Sequence, residues 1–270
     1  MYAERFESAL WRTSSLLLVA DGEAVVVDPC VSRDEVARIA ARAEELGVRV
    51  TAVLATHADW DHVCGIAAFP DAEASLGELC AERVDSGEAW EAIQRSAGEH
   101  RIEVAGPPRV DRRLAIGRAH RVGPLVVETL ALPGHTPDGT GFRVRALDVL
   151  AVGDHLSSVE FPFALCPADY RATLAGLIDL LRRDPPARVV PGHGPEHDPA
   201  RALAVAEADL EYLWRLHDAV AGAIAAGGGP DEARAAGLAA ALPRPAPPDL
   251  VAGHAENVEA QLGVLLPDSS

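Results

Sequence analysis

The sequence predicts a mixed α/β fold with a helical C-terminal extension, and three observations predict it. The chain opens on apolar, β-branched runs in the order hairpin, helix, strand. Metal-capable side chains recur where later apolar runs stop. From Pro199 onward the sequence is built almost wholly of helix formers punctuated by Gly and Pro.

Taken in order, residues 15–20 and 24–28 read as two strands joined by the turn Asp21-Gly22. Ser32 and Glu35 stand at capping-box spacing, and Gly47 lies where a helix stop is expected, so a helix is predicted over 33–46. Residues 48–55 are the strand that follows. Residues 77–97 are rich in helix formers and end before the breaker Gly106-Pro107-Pro108; this insert either walls a substrate cleft or is a plain surface helix. Residues 118–122 and 125–132 flank Gly123-Pro124 as a strand pair, and 142–147 with 149–152 continue the sheet. A helix over 169–183 shows Leu174, Leu177, Ile178 and Leu181 on one face and stops at Asp184-Pro185-Pro186. Residues 188–190 form the last short strand. A long helix runs from Pro199 to about Ala226, halted by Gly227-Gly228-Gly229; two shorter helices, 230–242 and 249–265, are joined by the proline-rich stretch 243–248. The expected organisation is a metal-binding domain over 1–198 and a helical extension over 199–270 packing on it, the extension serving as a cap over the cleft or as a homodimer surface.

Composition narrows the partners. The 270 residues are 49% hydrophobic, ample for a core, and the formal net charge is −17 with arginine supplying every one of the 24 basic side chains. Such a surface repels a polyphosphate backbone, and no basic cluster interleaved with aromatics offsets it, so nucleic acid is excluded as a partner. Cys30, Cys64, Cys80 and Cys166 show no CxxC spacing, which fits a reducing compartment. The longest early apolar run, 16–20, is too short for a secretion signal, and no uncharged apolar stretch reaches the roughly 18 residues of a membrane span. A cytoplasmic protein acting on a small molecule, with no membrane partner, is the expectation.

The stretch that carries chemistry is Thr56-His57-Ala58-Asp59-Trp60-Asp61-His62, directly after the strand at 48–55. Two imidazoles and two carboxylates within six residues read as a loop wrapped around an ion such as zinc, iron or manganese. His135 in Pro133-Gly134-His135-Thr136, Asp154 in Gly153-Asp154-His155, and His193 in Pro191-Gly192-His193-Gly194 each follow another apolar run. A single histidine beside a glycine is usually a surface or capping group. Candidates repeated at four separate strand ends are not an accident of composition.

The order H-x-D-x-D-H, G-H-T-P, G-D, P-G-H-G resembles that of the metallo-β-lactamase-fold hydrolases, especially their glyoxalase II-like branch, and the match runs from about residue 14 to 195. The resemblance implies a four-layer αβ/βα sandwich and two divalent metal ions, zinc in the first place with iron or manganese as alternatives. It implies a first ion held by His57, Asp59 and His135, a second held by Asp61, His62 and His193, and Asp154 bridging them. One position departs: the family's motif is H-x-H-x-D-H, and Asp59 stands where the second histidine belongs. The added negative charge lowers the Lewis acidity of the first ion.

The expected reaction is hydrolysis of a small ester, thioester or lactone-like substrate by a metal-bridged hydroxide, with Asp61 the catalytic carboxylate that orients it and takes its proton. Two rivals stand beside it. Two histidines and a carboxylate are also the donor set of non-haem iron oxygenases, and the resembled fold includes iron thiol-persulfide dioxygenases; a non-catalytic metal-binding module is the other. His155, Tyr170 and His254 are weaker candidates for substrate contact. Tyr170, Phe161 and Phe163 serve equally as core residues. Cys64 reads as a small buried hydrophobe, Trp60 as either pocket wall or packing, His197 as a helix cap, and His100, His120 and His217 as solvated side chains.

Overall fold

The computed structural model describes residues 1–245 and 248–266. The proline-rich joint at 243–248 therefore lies partly outside the described residues. Among them the chain forms eleven strands and eight α-helices, and its contacts gather into two compact units. The first comprises Met1–Leu132, Asp138–Gly153 and Pro186–Asp198; the second comprises Pro133–Pro137, Asp154–Pro185 and the chain from Pro199 on.

The first unit holds both sheets. Strands β1 (Tyr2–Glu7), β2 (Ser14–Ala20), β3 (Glu23–Val27), β4 (Arg49–Ala55), β5 (Glu73–Gly77) and β6 (Arg112–Leu114) lie in that order, antiparallel from β1 to β3 and parallel from β3 to β6. The second sheet runs β11 (Arg188–Pro191), β10 (Val149–Gly153), β9 (Thr140–Val144), β8 (Leu125–Ala131), β7 (Ala119–Val122), with β10 and β11 parallel and the rest antiparallel. The period-2 rule sorts the apolar runs of the first sheet to two faces. Leu16, Leu18, Val25, Val27 and Leu54 join Val122, Leu125, Val127, Phe142, Val149 and Val190 of the second sheet in one core. Leu17, Val26, Val53 and Ala55 face the other way and pack with Val36 and Ile39 of α1 (Arg33–Glu45), Cys80 and Val84 of α3 (Glu78–Asp85) and Ile93 of α4 (Glu88–His100). Burial on both faces explains why these strands are apolar almost without interruption.

Local signals are obeyed where they are strong. Asp21 and Gly22 both take positive φ, as the tight turn between β2 and β3 requires. Helix α1 starts on a complete capping box: Ser32 Oγ accepts from Glu35 N, and Glu35 Oε2 accepts from Ser32 N. Glu35 also accepts from Ser8 Oγ and Ala9 N, which anchors the loop between β1 and β2. The helix-rich stretch at 77–97 is two helices, broken at Ser86-Gly87 with Gly87 at φ 89. Strands β1, β5 and β6 went unread: β1 has charges at three of its six positions and is half-buried throughout after Tyr2, so it shows no apolar run, and β6 has three residues, too few for a period to show.

The second unit contains α5 (Pro167–Arg183), α6 (Pro199–Ala225), α7 (Pro230–Leu238) and α8 (Pro248–Leu265), with α6 lying against the other three. Among the described residues no helix is long and apolar enough to cross a membrane.

Candidate metal centre

Each chemical side chain leaves the end of a strand. His57 follows β4, His135 follows β8, Asp154 follows β10 directly, and His193 follows β11. Asp61 and His62 sit on a one-turn helix, α2 (Trp60–Val63), so the motif read as a loop is partly helical, with Asp59 in the position just before it.

In the first unit the ligand atoms of Asp61, His62 and His193 lie within 4.8 Å of one another, and all three side chains are buried. Asp61 Oδ2 is 3.5 Å from His62 Nε2 and 3.6 Å from His193 Nε2. Both distances are long for a hydrogen bond. They match two donors of one tetrahedral ion, which at about 2.0 to 2.1 Å from the metal stand about 3.3 to 3.4 Å apart. The opposite ring atoms are tied down. His62 Nδ1 is 3.0 Å from Asp28 Oδ2, and His193 Nδ1 is 3.0 Å from the Trp11 carbonyl. A carboxylate and a carbonyl only accept, so Nδ1 carries the proton and Nε2 the lone pair that a cation needs.

Asp28 governs a second ring as well. Its Oδ1 accepts from Thr56 N at 2.7 Å, and its Oδ2 accepts from Thr56 Oγ1 at 2.7 Å. That commits the hydroxyl proton, so Thr56 Oγ1 accepts from His57 Nδ1 at 3.1 Å, and His57 too presents Nε2 as a lone pair, 3.6 Å from Asp59 Oδ2. One buried carboxylate at the end of β3 therefore fixes both histidines of the motif. Sequence reasoning missed Asp28; its signal was its place at the end of an apolar run, the same as that of the ligand candidates. Thr13, also unread, donates from Oγ1 to Asp61 Oδ2 at 2.9 Å and pairs its backbone with His193.

Asp59 differs from its neighbours. Its Oδ1 accepts from Arg83 Nη2 at 3.1 Å, and Arg83 Nη1 donates to Asp138 Oδ1 at 2.7 Å, while Asp138 Oδ2 accepts from Ala58 N at 2.8 Å. Burial works against the charge on Arg83, but Asp138 and then Asp59 outweigh it and hold the guanidinium protonated. The carboxylate that replaces a histidine thus has a fixed cation on one oxygen and directs the other towards His57.

In the second unit His135 Nε2 is 3.4 Å from Asp154 Oδ2, and His135 Nδ1 donates to the Phe163 carbonyl at 2.9 Å. Gly134, before the histidine, has φ 139, and a Cβ there would stand 2.4 Å from Tyr170 Cα. Only glycine fits this approach. Tyr170 is fully buried, and its hydroxyl donates to the Asp154 carbonyl at 2.8 Å, so it holds the backbone of a candidate ligand. His155 is buried with its ring against Tyr170. His254 lies within α8, buried, its Nδ1 2.8 Å from the Tyr212 hydroxyl.

The remaining candidates resolve simply. Cys64 is buried and its thiol donates to the Val31 carbonyl; burial pushes it well above the ordinary thiol range. Trp60 packs edge-on to Trp11 and stacks on His100.

Two sheets sharing one core, with His57, His135, Asp154 and His193 following β4, β8, β10 and β11 and with His57, His62, His135 and His193 each anchored at Nδ1, define a candidate metal-binding protein of the αβ sandwich class. The metallo-beta-lactamase superfamily model matches residues 9–193. The chain belongs to that superfamily. Over 192 residues, 69% of the chain, it is 27% identical to the probable metallo-hydrolase YqgX of Bacillus subtilis (strain 168), covering 87% of that protein. It is also 27% identical over 192 residues to a hydroxyacylglutathione hydrolase of Jannaschia sp. (strain CCS1), covering 65% of it. The fold is shared with the metallo-beta-lactamase family protein TTHA1429 from Thermus thermophilus, at a TM-score of 0.69 and 21% identity over 99% of this chain and 93% of that one.

Proposed function

We propose that the chain is a binuclear metal-dependent hydrolase of a small ester, thioester or lactone-like substrate, with zinc as the expected metal. The observation that supports this most is shared by four histidines: His57, His62, His135 and His193 each engage an oxygen at Nδ1 and turn Nε2 to 3.4–3.6 Å from a carboxylate oxygen. Following the family resemblance, we assign His57, Asp59 and His135 to one cation, Asp61, His62 and His193 to the other, and Asp154 to both.

Bound cations supply a water that ionises near neutral pH and a Lewis acid for the substrate oxygen. The other tasks fall to the chain. Asp61, held by the Thr13 hydroxyl, is the carboxylate we assign to orienting the nucleophile and accepting its proton. A cysteine nucleophile is disfavoured, because burial keeps Cys30 and Cys64 protonated. Arg215, Arg234 and Arg244 in the helical unit are committed to Glu211, Asp231 with Glu259, and Asp209. These three are therefore not left over to clamp a large anionic thiol group.

A second reading rests on Asp59. Its Oδ2 faces His57 Nε2 while its Oδ1 accepts from Arg83, and with His135, which the family resemblance adds, these residues would make the two-histidine, one-carboxylate set that suits iron and oxygen. Elemental analysis of protein purified without added metal, paired with oxygen uptake on thiols and persulfides, decides between them. Two zinc or manganese ions per chain and no uptake support the hydrolase; one iron with uptake supports the oxidoreductase. Protein that takes up no metal on reconstitution sinks both.

A further inference from the structure

We propose that the last helix sets the orientation of His135, with Asn257 of α8 as a positioning residue that acts through the carbonyl of Phe163. The inference rests on His135 being a metal ligand, as assigned above.

The direction in which His135 presents Nε2 depends on where its Nδ1 proton goes, and that proton goes to Phe163 O, 2.9 Å away. Phe163 lies in an irregular segment between Asp154 and α5, where no helix or strand ladder fixes the peptide planes. Asn257 supplies the missing restraint from both sides. Its Nδ2 donates to the Pro162 carbonyl at 2.7 Å, and its Oδ1 accepts from Ala164 N at 2.7 Å. One buried amide thus brackets Phe163, and its second Nδ2 proton goes to the Tyr212 hydroxyl at 2.9 Å.

Packing repeats the message. Gly253 stands one helical turn before Asn257 and so on the same face of α8. The Phe163 ring lies so close to it that an added Cβ would stand 1.8 Å from Cε1. Arg244 Nη1 donates to the Glu160 carbonyl, holding the segment further upstream. The segment that orients a candidate ligand is therefore held by residues about 80 to 95 positions later in the chain.

A tail that merely packs would cost stability when disturbed and leave metal affinity alone. A tail that orients His135 must change the affinity for one ion and spare the other. The full-length chain loaded with zinc is titrated with a chromophoric chelator to obtain two dissociation constants, and its thermal midpoint is recorded in parallel. Asn257→Leu, which keeps the bulk and removes the hydrogen bonds, is expected to weaken one of the two ions by about 10- to 100-fold. Gly253→Ala is expected to do the same by displacing the Phe163 ring, although alanine favours the helix. Tyr212→Phe removes a hydroxyl from the same network without touching either loop bond, and is expected to leave both constants within about twofold. Should Asn257→Leu fail to fold, Gly253→Ala and Asn257→Asp, which keeps the acceptor for Ala164 N, still decide the matter. Unchanged constants in Asn257→Leu and Gly253→Ala, with only the midpoint lowered, would overturn the proposal. If His135→Ala also binds two zinc ions as tightly as the parent, the assignment of His135 as a ligand fails instead.

Discussion

His57 and His62 of the sheet unit are secured by means opposite to those of His135 in the helical unit, while His193 of the sheet unit, held by the Trp11 carbonyl, sides with His135. In the sheet unit a single buried carboxylate, Asp28, takes Thr56 and His62 directly and His57 through the Thr56 hydroxyl. In the helical unit His135 depends on a loop carbonyl, and that loop depends on side chains from α8 and the segment before it. The first arrangement is rigid because two strands of one sheet carry it. The second is adjustable, because its geometry is set by whatever covers the Phe163 segment.

The largest effect is expected where the sheet unit's anchor is removed. Asp28→Ala leaves three donors buried without their acceptor, the Thr56 N–H and hydroxyl and the His62 Nδ1–H, at about 1 to 3 kcal/mol for each unsatisfied group before relaxation. A net loss of about 3 to 5 kcal/mol in denaturant melts, with zinc affinity down on the order of 100-fold, is the expected outcome. A variant that kept both affinity and stability would show that the strand ends alone place the histidines, and the contrast between the units would collapse.

Next comes a test by pH of the helical unit. Burial pushes the Asp209 carboxyl up to about 7 although Arg244 pulls it down, and Arg244 is the residue that also holds the Glu160 carbonyl. An acid with a raised folded-state pKa binds more protons folded than unfolded between about 4 and 7, so its contribution to stability falls as pH rises through that window. From pH 5 to 8 the parent is expected to lose on the order of 2 to 3 kcal/mol relative to Asp209→Asn, read from the difference between their melts. Parallel pH profiles would mean that the Arg244 pair carries Asp209 as a comfortable ion throughout.

Much of the sheet unit was legible because its signals are local. The apolar runs of β2 to β4 and the Ser32 capping box each occupy a few consecutive residues, and the structure realises them where they were read; the H-x-D-x-D-H run is as local, although its second half is helix rather than loop. What escaped is what depends on folding to meet. Asp28 looked like any acid ending a strand, Arg83 like one more surface arginine 24 residues from Asp59, and Asn257 like a helix residue 93 positions from Ala164. No spacing rule reaches such pairs, since only the topology brings them together. Asp59 shows the cost: the motif revealed the missing histidine but not the guanidinium beside its replacement.

That pair yields a smaller effect. Asp59→His restores a neutral donor but strips Arg83 of one partner, leaving Asp138 and the exposed Glu88. Zinc at the first position is expected to bind about tenfold tighter in Asp59→His, roughly 1.4 kcal/mol, measured by chelator competition. Weaker binding would show that Asp59 and Arg83 work as a unit suited to another metal.

The smallest effect separates holding a ligand from aiming it. Thr13 touches Asp61 through one hydrogen bond, its hydroxyl donating to Oδ2, and valine has nearly its shape without the donor. Asp61 would still face His62 and His193, so zinc stoichiometry and affinity in Thr13→Val should stay within about threefold of the parent. What is lost is the restraint on the carboxylate's rotation, and with it about 1 kcal/mol of transition-state alignment. The expected result is a kcat about five- to tenfold lower with KM unchanged on the best ester found. A loss of zinc would place Thr13 with Asp28 as part of the metal's support. Unchanged kcat would mean that the cations alone aim Asp61, and that the sheet unit's hydrogen bonds serve binding rather than the reaction.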